Sequence, residues 1–182
     1  AKEMEAAGAD ILDIGGESTR PGSDYVDETR EIQRIVPVIR EIREDSSILL
    51  SVDTRKAIVA REALDAGADM INDISALRDD PQLAEIAAQR DVPIILMHIR
   101  GTPKNMQKNP YYEDVIGEIT DELMEAVSRA QEAGIDQGKI ILDPGIGFGK
   151  RFSDNLDIIR GIQELKKIGF PILIGLSRKS FL

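Results

Sequence analysis

The side chains best placed to do chemistry in this sequence lie in six short polar segments, each directly after a run of aliphatic residues. Three of the aliphatic runs lead into Asp53, Asn72 and Asp143. A carboxylate can accept two N–H bonds from an amidine- or guanidine-like edge, and an asparagine side chain both donates and accepts. Together the three could hold a flat, polar heterocycle. The alternative for Asp53 and Asp143 is that each caps the helix that follows it.

Basic residues are concentrated in the same polar segments, although the chain is acidic as a whole. It has 182 residues, with 33 acidic and 23 basic side chains and a formal net charge of −10. The basic residues in the polar segments are Arg20, Arg55, Lys56, Arg100, Lys104, Lys150, Arg151, Arg178 and Lys179. The acidic surplus falls mainly on the predicted helices. We therefore expect a locally cationic site that takes an anionic small molecule such as a phosphate or diphosphate.

A glycine-rich segment, GIGFGK over residues 145–150, follows the fifth aliphatic run. Its spacing matches neither a P-loop nor the dinucleotide-binding motif. Its glycines could hold Phe148 against the face of a ligand, and the alternative is a merely flexible loop. The only histidine, His98, is interpreted as a hydrogen-bonded structural residue rather than a base. Its neighbour Met97 belongs either to the core or to the floor of a ring pocket.

Composition excludes several kinds of site and partner. Without cysteine there is no disulfide framework, thiolate zinc site or cysteine nucleophile, and one histidine excludes a multi-histidine metal centre. A pI near 4.7 argues against a nucleic-acid-coating protein and a polybasic membrane binder. No apolar run approaches the roughly 20 residues that cross a bilayer. We expect a cytoplasmic protein with no nucleic-acid or membrane partner.

The elements that must position these side chains alternate between strands and helices. The candidate strands cover residues 11–15, 48–53, 70–74, 93–98, 139–143 and 171–176. They are near-continuous apolar runs, typical of a parallel sheet covered by helices. They begin about 32 residues apart, close to the roughly 31 residues per unit of a (β/α)₈ barrel. The sequence predicts an α/β fold, a TIM barrel of which about six βα units are present, in one domain over residues 1–182.

A doubly wound open sheet is the alternative fold. Its ligand-binding residues would be concentrated at one switch point, whereas polar residues here follow every predicted strand, as they do around the mouth of a barrel. A faint internal repeat relates residues 7–14 to residues 66–74, with a glycine ending a helix before the next strand in each copy. Residue 1 is alanine, residues 1–7 are typical of the last turns of a helix, and the far end comes immediately after the loop that follows a strand. We expect the chain to be part of a longer protein, with two barrel units missing.

Six motifs, in this order, resemble those of bacterial dihydropteroate synthases. They are GGESTRPG (15–22), SVDT (51–54), INDI (71–74), MHIRGTP (97–103), DPGIGFGK (143–150) and SRKS (177–180). The ordered set covers essentially the whole chain. The resemblance implies a TIM-barrel transferase of folate synthesis and a sulfonamide target. Such an enzyme condenses 6-hydroxymethyl-7,8-dihydropterin diphosphate with 4-aminobenzoate to give 7,8-dihydropteroate and diphosphate.

The resemblance also implies roles for individual residues. The residues that would hold the pterin or line its pocket are Asp53, Asn72, Asp143, Lys179, Ile74 and Met97. A mobile loop would carry Thr19, Arg20 and Pro21, with Arg20 meeting the diphosphate. The aminobenzoate pocket would be bordered by Phe148, Ser177 and Lys179, with Gly147 and Gly175 leaving room for the ligands. The residues expected to act in catalysis are Asp53, Lys179 and Arg20.

Three expectations concern features outside these motifs. The resemblance implies Mg²⁺ bound with the substrate diphosphate, but the family's asparagine near that ion has no counterpart here, so no metal ligand is identified. The Arg-x-His motif of the family's last strand is also absent, and we expect the isolated chain to be incomplete for catalysis. The family is usually dimeric, so a homodimer is expected for the full-length protein.

Two other functions would use the same pterin contacts. One is the pterin-binding domain of a methyltetrahydrofolate-dependent corrinoid methyltransferase, against which residues 19–22 and 177–179 argue because they serve diphosphate and aminobenzoate chemistry. The other is a non-catalytic pterin-binding fragment. Such a fragment would bind a pterin without any diphosphate-dependent binding of 4-aminobenzoate, which calorimetry would detect.

Overall fold

A computed structural model of the chain describes residues 1–177, in which helices and strands alternate. In chain order the elements are α1 (Lys2–Ala6), β1 (Ile11–Gly15), α2 (Glu28–Asp45), β2 (Leu49–Asp53), α3 (Ala57–Ala66), β3 (Met70–Asp73), α4 (Gln82–Arg90), β4 (Ile94–Met97), α5 (Val115–Glu132), β5 (Ile140–Asp143), α6 (Phe152–Arg160) and α7 (Ile162–Lys166). A short 3₁₀ helix, Gln137–Lys139, leads into β5. Within residues 1–177, none of the helices has the length and apolar character needed to cross a membrane.

The five strands form one parallel sheet in the order β1-β2-β3-β4-β5. Each strand therefore pairs with the next strand along the chain. A doubly wound sheet would reverse its strand order at a switch point, and no reversal occurs in the part of the chain that the structure describes. The sheet is a segment of barrel wall, as the strand spacing predicts.

The predicted sixth strand, residues 171–176, differs from the expectation. Ile172 forms only an isolated parallel bridge to Leu142. Leu142 donates its N–H to the carbonyl of Pro171 at 2.9 Å, and Leu173 donates to the carbonyl of Leu142 at 2.9 Å. The next bond of a parallel ladder would be donated by residue 144, which is a proline without an N–H. The segment thus runs beside β5 in the expected direction, but the ladder stops after one bridge.

The main core lies between the sheet and its helices. Alternate strand residues point to opposite faces of a sheet, and one face here is aliphatic. Its buried members include Leu12, Leu50, Val52, Ile71, Ile94, Leu96, Ile140 and Leu142. They pack with Ile35 and Ile39 of α2 and with Leu123 of α5. Asp13, Ser51, Asp53, Asn72 and Asp143 consequently lie on the other face, which is the inside of the barrel wall.

Candidate functional site

The carboxyl ends of the strands bring three predicted polar residues to one rim. Parallel strands end at the same edge of a sheet, so their last side chains are neighbours. Asp53 ends β2 and is paired in register with Asn72 of β3, while Asp143 ends β5 and is paired with Met97 of β4. Asp53 and Asn72 are partly buried, and Asp143 is 7% exposed. The rim therefore gathers two carboxyl groups and an amide, as predicted from the motifs.

Asp53 does not act as a helix cap. Helix α3 has no side-chain cap at its N-cap residue, Lys56, and the N–H of Ala57 is bound by Asp80 at 2.8 Å. Removal of the Asp53 carboxyl from bulk water, together with the nearby charge of Asp13, raises its pKa to about 8. At neutral pH this group is therefore mostly protonated, and it can donate a hydrogen bond as well as accept one.

Asp13 is a rim residue that the sequence analysis did not assign to the site. Its Oδ2 accepts a hydrogen bond from Nδ2 of Asn72 at 3.1 Å, which fixes the rotation of the Asn72 amide. Burial raises the pKa of Asp13 as well, and the charge of Asp13 contributes to the raised pKa of Asp53. The internal repeat carried a signal for this pair, because Asp13 and Asn72 occupy corresponding positions in its two copies.

Asp143 is tied to the turn that follows β5 rather than to a helix. Its Oδ1 accepts a hydrogen bond from the N–H of Gly145 at 2.7 Å, and its carbonyl accepts one from the N–H of His98 at 2.8 Å. Helix α6 begins only at Phe152, too far along the chain to be capped by Asp143. The helix-cap alternative is therefore wrong for Asp143 also, and its carboxyl is held at the rim by the glycine segment.

A small apolar cluster lies beside the rim and is separate from the main core. Its buried members are Ile74, Met97, Ile99 and Met106, and Phe148 packs against them. Ile74 and Met97 are 6% and 4% exposed. Apolar surface next to a few convergent polar groups is what a flat heterocycle requires for binding. The arrangement favours the ring-pocket prediction for Met97 over the core alternative.

The glycine segment is held by its surroundings rather than being merely flexible. Gly145, Gly147 and Gly149 all have positive φ angles. A Cβ atom on Gly145 would lie 1.8 Å from the carbonyl oxygen of His98, so no larger residue fits this path. Lys150, the last residue of the segment, is buried and its side chain donates to the carbonyl of Phe148 at 3.0 Å. The backbone that carries Phe148 is therefore fixed at the edge of the rim.

His98 has the structural role that the sequence analysis predicted. Burial lowers its pKa to about 4, so its ring is neutral near pH 7. Its Nδ1 lies 2.9 Å from Nζ of Lys150, and its Nε2 lies 3.1 Å from Oε2 of Glu122. With its hydrogen on Nε2, the neutral ring can accept from the lysine at Nδ1 and places its N–H next to the Glu122 carboxylate. Neither Lys150 nor Glu122 was predicted as a partner, since they come from different elements.

Most of the basic residues expected to make the site cationic are neutralised internally. Arg55 and Lys56 pair with Glu17, at 2.6 Å each. Arg100 pairs with two glutamates of α5, and Arg151 pairs with an aspartate of α6. Within residues 1–177, Arg20 and Lys104 form no ion pair, and both are exposed. Lys150 is buried and its ammonium group contacts His98 and the carbonyl of Phe148. Among the described residues, the exposed cations expected at the site are therefore reduced to Arg20 and Lys104; Arg178 and Lys179 lie outside the described residues.

The remaining predicted residues occupy the loops around the rim. Thr19, Arg20 and Pro21 lie on the loop after β1, whose Gly22 donates an N–H to the carbonyl of Pro103 at 3.1 Å. Gly147, in the glycine segment, donates its N–H to Asn155 at 2.7 Å. A Cβ on Gly175 would meet no described atom within 4 Å, and Ser177 is exposed. The roles predicted for these residues stay predictions.

Comparison with known proteins identifies what this chain resembles. A family profile described as pterin binding enzyme matches residues 1–182. The dihydropteroate synthase of Synechocystis sp. is 49% identical over 182 residues, which is 100% of this chain and 63% of that protein. The resemblance inferred from the six motifs is confirmed. The chain spans less than two thirds of that relative's length.

Solved structures agree with the sequence match. The Yersinia pestis dihydropteroate synthase, in complex with a sulfonamide drug, matches with a TM-score of 0.96 at 44% identity, covering 99% of this chain and 65% of that one. The Xanthomonas albilineans dihydropteroate synthase with 4-aminobenzoic acid matches with a TM-score of 0.93 at 43% identity, covering 99% and 63%. The predicted fold, a partial TIM barrel, is confirmed.

Proposed function

Since the chain belongs to the family of pterin-binding enzymes, we propose that it forms the pterin site of a dihydropteroate synthase. The reaction joins 6-hydroxymethyl-7,8-dihydropterin diphosphate to 4-aminobenzoate, giving 7,8-dihydropteroate and diphosphate. The observation that carries the proposal is the rim itself. There Asp53, Asn72 and Asp143 border the apolar cluster around Met97. A pterin has apolar ring faces and a guanidine-like edge, which match these two kinds of surface.

The chemistry that this rim can support is the displacement of diphosphate by an arylamine. The amine nitrogen forms a bond to the exocyclic methylene carbon, the bond from that carbon to the diphosphate oxygen breaks, and the amine gives up a proton. The amine is nucleophilic enough without a strong base, so the barrier lies in the departure of diphosphate. Positive charge develops on the pterin as the leaving group departs. This charge favours loss of the proton from Asp53, and the resulting carboxylate, together with the carboxyl group of Asp143, stabilises it.

Arg20 supplies the complementary charge on the leaving-group side. It is exposed on the loop after β1 and is paired with no acidic side chain in residues 1–177, so its guanidinium is available for a diphosphate. Phe148, fixed by Lys150 through its carbonyl, borders the space proposed for 4-aminobenzoate. The sulfonamide bound to the Yersinia pestis relative supports a pocket of this kind. Lys179 keeps its proposed part in holding the pterin.

The magnesium ion implied by the resemblance stays a proposal. Within the described residues, no group of three or more histidine, cysteine, aspartate or glutamate side chains could hold a metal ion. In the proposal, Mg²⁺ enters with the diphosphate of the substrate. The cytoplasmic location and the homodimer are likewise retained as proposals.

The experiment compares this chain with a version extended to the length of its curated relatives. We expect the extended protein to release diphosphate only when both the pterin diphosphate and 4-aminobenzoate are present. We expect this chain to bind the pterin, measured by calorimetry, with little or no release. Pterin binding by the extended protein without any 4-aminobenzoate-dependent release would favour the non-catalytic alternative, and absence of pterin binding by both would contradict the proposal.

A further inference from the structure

The two ends of the loop after β1 are joined by a hydrogen bond. Glu17 lies where the loop begins and Val26 where it ends, and Oε2 of Glu17 accepts a hydrogen bond from the N–H of Val26 at 3.0 Å. Residues 18–25 therefore form a loop whose two ends lie close together. This loop, which we call the β1 loop, contains Thr19, Arg20 and Pro21.

A single buried cation holds both ends of the β1 loop. Lys56, which is 5% exposed, donates from Nζ to Oε2 of Glu17 at 2.6 Å and to the carbonyl of Val26 at 2.7 Å. The same ammonium group also pairs with Glu31 of α2. Lys56 directly precedes α3, so the base of the loop is attached to a rigid helix pair rather than to another loop.

The surroundings of this cation leave it little freedom. Glu31 is 1% exposed and accepts a second hydrogen bond from Oγ1 of Thr54 at 2.7 Å. A Cβ on Gly16 would lie 2.8 Å from Cγ of Glu31, so the chain approaches this glutamate as closely as a glycine permits. Arg55 binds the other oxygen of Glu17 at 2.6 Å. Buried charges that pair in this way are costly to separate, so the base of the loop is stiff.

The tip of the β1 loop has much weaker attachments than its base. Gly22 donates to the carbonyl of Pro103 at 3.1 Å, and Ser23 donates to the carbonyl of Arg20 at 3.1 Å. Arg20 and Pro21 are exposed. Exposed backbone hydrogen bonds open at a low free-energy cost, whereas buried ion pairs do not. The loop is therefore built to move at its tip about two fixed ends.

We propose that Lys56 is a positioning residue, whose contacts with Glu17, Val26 and Glu31 fix both ends of the β1 loop so that Arg20 closes over the site in one orientation. The proposal concerns the loop that the proposed function uses for the diphosphate, and its catalytic readout rests on that function. Lys56 touches no substrate. It acts through the position of Arg20, and its removal should affect the diphosphate and aminobenzoate side of the reaction more than pterin binding.

The first test is independent of any activity. Hydrogen–deuterium exchange of residues 18–27 is compared in the extended protein, in Lys56→Met and in Lys139→Met, which removes a lysine at the opposite end of the sheet. We expect exchange at Val26 to accelerate by about tenfold or more in Lys56→Met and to stay unchanged in Lys139→Met. Unchanged exchange at Val26 in Lys56→Met would overturn the proposal, whether or not the protein makes dihydropteroate.

The second test separates positioning from a general loss of structure. In steady-state kinetics of the extended protein, we expect Lys56→Met to raise KM for 4-aminobenzoate, or lower kcat, by about tenfold. The dissociation constant of a pterin lacking diphosphate should change less than about twofold, because Asp53, Asn72 and Asp143 lie on other elements. Equal losses in pterin binding and turnover would indicate a structural role and contradict the proposal.

A further variant guards against misfolding of Lys56→Met, which leaves Glu31 buried without its cation. In Lys56→Met/Glu31→Met both buried charges are replaced by apolar side chains of similar volume, a change that folded proteins often accept. This double variant should keep native unfolding behaviour, with faster exchange at Val26 and the same selective kinetic defect. A double variant that folds and shows wild-type exchange and kinetics would overturn the proposal.

Discussion

Asp53 shows most clearly how folding turns an ordinary side chain into a candidate functional group. Its type and its position after an aliphatic run indicated a ligand or a helix cap with equal force. The structure decides against the cap, because Asp80 occupies that role at α3. Burial of the Asp53 carboxyl raises its pKa to about 8. A carboxyl group held at a cost to stability is a common mark of a functional site.

The pKa of Asp53 leads to a prediction about stability. Between its ordinary value near 4 and the folded value of about 8, the folded state keeps a proton that the unfolded state has released. The free energy of unfolding should therefore fall as pH rises through this range. Asp53→Asn removes this effect, and we expect it to stabilise the chain by about 1–3 kcal/mol at pH 8, measured by urea denaturation.

The same substitution should abolish turnover in the extended protein, assayed by diphosphate release. The Asp53 carboxyl can lose its proton as positive charge develops on the pterin, whereas an amide cannot become negatively charged. Asp73→Asn is the matched control. Burial raises the pKa of Asp73 as well, to about 6, but both of its oxygens accept hydrogen bonds, from Ser75 and Leu77. An amide would place an NH₂ group against one of these donors, so we expect Asp73→Asn to lose stability instead of gaining it. Near-wild-type turnover in Asp53→Asn would refute the role proposed for this carboxyl.

At the scale of elements, strand type and direction followed from the sequence, whereas strand extent depended on individual backbone groups. Continuous aliphatic runs indicated parallel strands at each of the five positions where the sheet has one. The sixth run was equally aliphatic, but Pro144 withholds the donor that would lengthen its ladder. The hydropathy of a segment does not predict how far its hydrogen-bonded ladder extends. That length depends on which residue of the neighbouring strand lies opposite, and on whether that residue has an N–H.

The turn after β5 gives a prediction at this scale. Gly145 combines a φ of +68° with a position where a Cβ would meet the carbonyl of His98, so Gly145→Ala must displace β4 or the turn. We expect a loss of more than about 3 kcal/mol in the free energy of unfolding, measured by chemical denaturation. Gly169→Ala is the control, since Gly169 has a φ of +90° but open space around it.

The control should lose only about 1 kcal/mol, the usual penalty for a left-handed backbone without a clash. Similar losses for Gly145→Ala and Gly169→Ala would show that backbone conformation alone, rather than the close approach to β4, determines the role of Gly145. The comparison therefore separates the two physical reasons for which a glycine can be required. A loss confined to Gly145→Ala would place the constraint on the packing of β4 against the turn.

At the scale of the whole molecule, the inner face of the sheet exposes apolar side chains far from the rim. Ile11 and Leu49 are paired in register on β1 and β2, and they are 43% and 49% exposed. In a closed TIM barrel such inward-facing residues form packed layers. We therefore expect the version extended to the length of the relatives to bind less of an apolar fluorescent dye per molecule than this chain does.

The same extension should raise the midpoint of thermal unfolding, because burying this pair adds apolar area to the core. Leu49→Ser in this chain is the matched variant, and it should lower dye binding with little effect on the unfolding midpoint. Dye binding that is equal in the two versions would show that the pair stays exposed in the longer protein. The prediction can be checked without any substrate.

The sequence by itself determined the family, the fold class and the residues that the rim collects, because ordered motifs and strand periodicity are local properties of the chain. Only the tertiary structure decided which charges are already paired, as with Arg55 and Lys56 on Glu17, and which remain available, as with Arg20. It also revealed the contact between Asp13 and Asn72, and the hydrogen bond from the buried Lys150 side chain to the backbone of the glycine segment. The physical reason is that pairing, burial and pKa depend on distances between residues far apart in the sequence, and those distances are set only when the barrel wall is assembled.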